Sequence, residues 1–149
     1  MDIRPARDGE VDAIAELYAR SQRRMTYLPP MPDEHIPLVA GMIGRHDELW
    51  LAEEEGRILG FVSIDHSQSD GWEVLERLFV EPDVQNRGIG TALLEQAKAL
   101  RPDGLVLWLF QKNTGAIRFY ERHGFRLVKL TDGAENMEHE PDALYEWRP

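Results

Sequence analysis

The chain of 149 residues contains no cysteine. That removes disulfides, thiolate metal sites and a cysteinyl acyl-enzyme from consideration. No uninterrupted apolar run comes near the ~20 residues that a membrane-spanning helix needs. The opening Met1-Asp2-Ile3-Arg4-Pro5 lacks the apolar stretch of a secretory signal, so the cytoplasm is the expected compartment. Basic residues are in deficit, 17 Lys and Arg against 27 Asp and Glu, for a formal net charge of −10. A surface of that sign disfavours nucleic acid, whose phosphates need a basic face, and attracts amines and other cations. The histidines His35, His46, His66, His123 and His139 are scattered, with no H-x-x-x-H pair, so no metal site is expected. G-x-S-x-G is also absent, which argues against a serine hydrolase.

What is present is a regular alternation of strand and helix patterns. Ile3 opens a short strand that ends at Asp8-Gly9. Val11, Ile14, Ala15 and Tyr18 follow at helical spacing, with Asp8 as the expected N-cap. Three prolines within Pro29–Pro32 stiffen the next loop. Ile36 to Ile43 predicts a second helix. Leu49–Ala52 and Ile58–Ile64 read as strands around the charged turn Glu53–Arg57, and the stretch 65–71 is polar and turn-like. Val74–Val80 predicts a strand whose even positions Val74, Glu76, Leu78 and Val80 share a face. A helical stripe runs over Ile89–Leu100. The apolar run Leu105–Phe110 predicts a buried strand, and a helix from about Thr114 closes at Gly124. Phe125–Leu130 and Ala143–Trp147 predict two last strands, separated by the acidic loop Thr131–Asp142. No linker, repeat or low-complexity tract divides the chain, so residues 1–149 are expected to form one mixed α/β domain.

The most telling segment is Leu78-Phe79-Val80-Glu81-Pro82-Asp83-Val84-Gln85-Asn86-Arg87-Gly88-Ile89-Gly90-Thr91. An apolar strand enters a Pro/Asp turn, and Gln-x-Arg-Gly-x-Gly leads into a helix. Unpaired N–H groups at a helix N-terminus, with the positive end of its dipole, suit a phosphate. Gly88 and Gly90 permit close backbone approach, and Arg87 adds positive charge.

This segment resembles the acyl-coenzyme A pyrophosphate loop of the GNAT superfamily of N-acetyltransferases, whose Gln/Arg-x-x-Gly-x-Gly/Ala falls on Gln85, Gly88 and Gly90. A second stretch, Asn113-Thr114-Gly115-Ala116-Ile117-Arg118-Phe119-Tyr120-Glu121-Arg122-His123-Gly124-Phe125, is similar to the family's Asn-x-x-Ala-x-x-Phe-Tyr-x-x-x-Gly-Phe segment. The resemblance implies a mostly antiparallel sheet of about seven strands flanked by about four helices, with strands four and five splayed. It implies acetyl-CoA as acyl donor and direct transfer to a primary amine in a ternary complex. The acceptor would be a small-molecule amine or a peptide N-terminus, without nucleic acid or membrane, and a homodimer is admitted.

Roles follow for individual residues. The loop Gln85, Asn86, Arg87, Gly88, Ile89, Gly90 and Thr91 would hold the diphosphate. Backbone N–H groups near Leu78 and Val80 would polarise the thioester carbonyl, and the Asn113 amide would bond the pantetheine arm or cap its helix. Tyr120 would protonate the departing thiolate. Glu76 is the candidate general base, because a carboxylate on an apolar strand face is expected to be desolvated; Glu73, His66 and a water relay are alternates. His123 is read as a helix-end charge. Two rival readings remain. In a dinucleotide oxidoreductase, Gly88-x-Gly90-x-x-Leu93 would lack its third glycine. A non-catalytic acyl-CoA-binding protein on the same fold would bind the cofactor without turnover.

Overall fold

Ile14, Leu17 and Ile43 are fully buried, and they come from two helices packed on one face of a seven-stranded sheet. The computed structural model describes residues 1–45, 48–66 and 73–149, with His66 by its backbone alone. In chain order the elements are β1 (Asp2–Pro5), α1 (Val11–Gln22), α2 (Ile36–Ile43), β2 (Glu48–Glu54), β3 (Arg57–His66), β4 (Glu73–Val80), α3 (Ile89–Leu100), β5 (Leu105–Phe110), α4 (Thr114–Arg122), β6 (Arg126–Leu130) and β7 (Asp142–Trp147). The sheet runs β1-β2-β3-β4-β5-β7-β6, and every neighbouring pair is antiparallel except β4 and β5. This is the mixed α/β layout expected from the sequence pattern, with the mostly antiparallel sheet that the family resemblance implied. No helix among the described residues is long and apolar enough to cross a membrane.

Alternation along the strands divides the core into two layers. Leu51 and Phe61 face α1 and α2, while Ala52 and Val62 face α3. The second layer also takes Leu93 and Leu94 of α3, Leu105 and Leu107 of β5, and Tyr120 of α4. Each fully buried leucine contributes about 1.5–3 kcal/mol relative to exposure.

Four expectations change. Asp8 does not cap α1: residues Asp8–Glu10 form a 3-10 turn instead. Glu10 reaches back to accept the Arg7 N–H at 2.8 Å, which satisfies that donor without Asp8. In β4, Ser63 pairs with Arg77 and Ile64 with Leu75, so Glu76 is an extra residue in a bulge. A bulge reverses the phase of the pleat. Leu75, rather than Val74 and Glu76, therefore joins Leu78 and Val80 in the α3 layer. Trp108, expected to be buried, is 46% exposed. The α1–α2 layer stops at β4, and Lys129 Nζ stands 5.6 Å from the centre of the Trp108 ring. Of the turn-like stretch 65–71, Asp65 and His66 still belong to β3, and the rest lies outside the described residues.

The sheet's first edge is tied to β2 by ion pairs. Arg4 donates to Glu10 at 2.6 and 2.9 Å and to Glu53 at 2.5 Å. These bonds from Arg4, with the Arg7 N–H, hold the Glu10 carboxyl down from 4.5 to about 2, against the opposing effect of burial. A depressed carboxylate pKa stabilises the fold above the unfolded pKa, and that contribution is lost as pH falls through the folded one. Glu10→Gln should therefore lower the urea midpoint at pH 7, with the gap to wild type closing between pH 4.5 and about 2. A gap that persists undiminished at the acid end would contradict this origin.

Candidate functional site

The expected phosphate loop follows β4 through Glu81 and a 3-10 turn at Pro82–Val84. Backbone is left-handed at Asn86 (φ 68°) and Gly88 (φ 81°). Gly88 immediately precedes α3, and no side chain caps that helix. The N–H groups of its first turn consequently have no intrahelical acceptor. A Cβ placed on Gly88 would meet nothing within 4 Å, so the space over it is open; one on Gly90 would lie 3.5 Å from Phe119. Ile89 is buried and anchors the loop from below. Arg20 of α1 fixes the loop's entry by a two-pronged pair with the buried Glu81, at 3.0 and 2.7 Å. Arg87 turns away: its guanidinium pairs with Glu54 at 3.1 Å, and its side chain does not line the cleft.

Between β4 and β5 the sheet opens. Among the described residues their only register pair is Val74 with Val106, at the start of both strands. Glu81 N–H donates to Leu59 O on β3 at 2.8 Å. Since alternate N–H groups of a strand point to opposite sides, those of Phe79 and Arg77 also face β3. The N–H groups of Leu78 and Val80 face the opening.

Two concavities meet at this gap. One, of about 740 Å³, is lined by Gln85, Asn86, Gly88, Ile89, Gly90 and Thr91, with Leu78, Val80 and Asn113. The other, of about 970 Å³, includes Glu76, Tyr120, Asp132, Glu135 and Glu138. Met25, Leu78, Phe79 and Asn113 line both. The volumes fall within the range of small-ligand sites, ~300–1,000 Å³.

Sequence-predicted residues thus gather at one place, with differences in detail. Asn113 caps α4, its Oδ1 accepting the Ala116 N–H at 3.2 Å, while still lining both concavities. Tyr120 is only 5% exposed, packed between the rings of Phe119 and Phe125. Burial pushes its phenol well above its usual pKa. Glu76 lines the second concavity from the bulge, but it is exposed rather than desolvated. Glu73 is engaged with Arg101 at 3.0 Å, and the His66 side chain lies outside the described residues. His123 stands at the end of α4, where burial, with Lys98 nearby, lowers its pKa and so disfavours the expected helix-end charge, and Nε2 sits 3.3 Å from Thr91 Oγ1. Among the described residues no His, Asp and Glu group is placed to hold a metal ion.

The order of the acidic loop was not visible in the sequence. Gln111 Nε2 donates to Thr131 O and Asp142 O, both at 2.9 Å. Thr131 Oγ1 donates to Asp142, whose other oxygen accepts from Asn136 at 3.1 Å. The Thr, Asn and Asp residues at the loop ends were its only signal. The proline-rich loop is tied to the end of α1. Gln22 and Arg23 bond its carbonyls at Pro29 and Met31, holding it along α1.

Comparison with known proteins places this geometry. The profile of the acetyltransferase (GNAT) domain matches residues 45–127. The peptidyl-lysine N-acetyltransferase YiaC of Escherichia coli is 37% identical over 131 residues, covering 85% of this chain and 84% of that protein. The solution structure of apo YjaB from Escherichia coli superposes with a TM-score of 0.72 at 22% identity, covering 98% of this chain and 96% of the other. The PaiA N-acetyltransferase from Thermoplasma acidophilum, solved with coenzyme A, gives 0.75 at 17% identity over 99% and 98%. The two structures share the fold.

The buried phenol makes a separate prediction. Because its folded pKa is raised, the folded state keeps the proton after the unfolded phenol ionises near ~10. Stability should therefore fall as pH rises past that value. Tyr120→Phe should show a flatter decline in urea midpoint between pH 9 and 11. Equal slopes for mutant and wild type would mean the phenol ionises alike in both states.

Proposed function

The chain belongs to the GNAT family of acetyltransferases, and we propose that residues 1–149 act as one catalytic domain moving an acetyl group from acetyl-CoA to a primary amine by direct attack in a ternary complex. The observation that carries this reading is the pair of concavities meeting at the β4–β5 opening. Donor and acceptor reach the same point from opposite sides, so no acyl-enzyme is needed.

The loop from Gln85 to Thr91 takes the diphosphate on its free N–H groups. The pantetheine arm runs along the opened edge of β4, beside Asn113. Leu78 and Val80 N–H groups bond the arm and the thioester carbonyl; one such donor aimed at a developing oxyanion is worth ~3 kcal/mol. Glu76, directly or through water, takes a proton from the ammonium. The free amine attacks the carbonyl carbon, the C–S bond breaks, the Tyr120 phenol gives its proton to the leaving sulfur, and the proton shed by the newly bonded nitrogen restores the phenol through water. The surroundings that keep the phenol protonated also raise the basicity of a thiolate formed beside it.

Glu76, Asp132, Glu135 and Glu138 outnumber Arg77 and Lys129 around the second concavity. That balance favours a cationic acceptor. A lysine side chain in a peptide is the first acceptor to test, given the name of the Escherichia coli relative; small amines and peptide N-termini complete the panel. The reading places the reaction in the cytoplasm and requires no metal, nucleic acid or membrane.

Release of CoA during acetylation of this panel tests the activity itself. Cofactor binding without turnover on any acceptor would instead favour a binding protein. Gly90→Val should fold and bind CoA at least about tenfold more weakly, because its side chain intrudes where backbone must approach the ligand. Calorimetry that shows unchanged affinity would contradict the loop's role. Glu76→Gln should lower kcat/KM by ~10²–10⁴; unchanged kcat/KM would move the role of base to water or to another residue. Tyr120→Phe should slow transfer by ~10² or more, less so with a thioester whose thiol is more acidic. Equal impairment on both thioesters would make Tyr120 a packing residue.

A further inference from the structure

Coenzyme A carries, besides its diphosphate, a phosphomonoester on the ribose 3′-oxygen. The loop N–H groups suit the diphosphate, which leaves the third phosphate without an assigned partner. Arg87, the cation that the sequence offers within the loop, is engaged with Glu54 on β2. Lys112, at the rim of the same cleft, is paired with Glu140 at 3.5 Å. Two other cations line this cleft, Arg24 and Arg122. Neither guanidinium has an ion-pair or hydrogen-bond partner among the described residues, in a chain where acidic side chains outnumber basic ones 27 to 17.

Their positions differ in a way that separates their roles. Arg24 precedes Met25, which lines both concavities, and Tyr27, whose ring meets Phe110 at 5.9 Å at the end of β5. That segment stands at the reacting end of the cleft, where the cofactor has no phosphate. Arg122 lines only the cofactor side. It lies on the part of α4 that packs against the loop: Phe119 stands over Gly90, and His123 meets Thr91 at 3.3 Å. His123 itself is held towards its neutral form by burial, so it does not supply the charge.

We infer that Arg122 reads the 3′-phosphate of coenzyme A, so that this chain discriminates the cofactor from its 3′-dephospho form by a cation on α4. The inference rests on the coenzyme A reading above. Arg122 is exposed and free of tertiary bonds, so its substitution leaves the fold intact.

Calorimetric titration of wild type, Arg122→Ala, Arg122→Lys and Arg24→Ala with CoA and with 3′-dephospho-CoA, near physiological salt, tests it. Wild type should prefer CoA by roughly tenfold or more, the scale of a charge-assisted hydrogen bond. Arg122→Ala should bring the two affinities together by weakening CoA alone. Arg122→Lys should retain part of the preference, and Arg24→Ala all of it. A wild-type ratio near one would overturn the inference. So would equal weakening of both ligands by Arg122→Ala, which would assign Arg122 to the diphosphate, or a collapse of the preference in Arg24→Ala instead. Failure of wild type to bind either ligand would overturn the coenzyme A reading, and this inference with it.

Discussion

The site depends on one incomplete pairing: β4 and β5 are adjacent and parallel, yet among the described residues they share a single register pair, Val74 with Val106. A complete ladder would occupy the N–H groups of Leu78 and Val80 and close the sheet. Because the strands diverge, those donors face a gap in the middle of the protein rather than at its rim. Unpaired backbone groups away from water are costly, and a gap lined by them is tolerated where it admits a ligand or solvent. Asn113, at the start of α4, and Tyr120, about two turns further along it, line the concavities that meet there.

An opening of this kind needs rigid walls. On the cofactor side, Arg20 and Glu81 clamp the end of β4 to α1. Phe119 and His123 brace the first turn of α3. Around the second concavity, Gln111, Thr131, Asn136 and Asp142 staple the β6–β7 connection at both ends. Glu135 and Glu138 are thereby presented by an ordered loop. Pre-organisation of this sort reduces the entropy lost when a ligand binds.

Most elements were legible because hydrophobic period reports local geometry directly. The stripe over Ile89–Leu100 and the glycine-punctuated loop before it appear where the residues put them. Features that depend on partners were not legible. The bulge at Glu76 arises from pairing with β3, and nothing within Val74–Val80 announces it. Arg87 sits in the loop by sequence, but Glu54 on β2 draws its side chain away. Trp108 ends half exposed because the helical layer above β2–β4 does not reach β5. Burial and the nearby Lys98 lower the His123 pKa, and that proximity comes from helix packing.

Amide hydrogen exchange, resolved residue by residue, tests the central claim most directly. In the free protein the N–H groups of Leu78 and Val80 should exchange quickly, while those of Phe79 and Glu81, bonded to β3, exchange slowly. A non-reactive acetyl-CoA analogue should slow the first pair and leave the second unchanged. Slow exchange at Leu78 and Val80 without ligand, or no change on adding it, would contradict the account that the strand opening is where the cofactor binds.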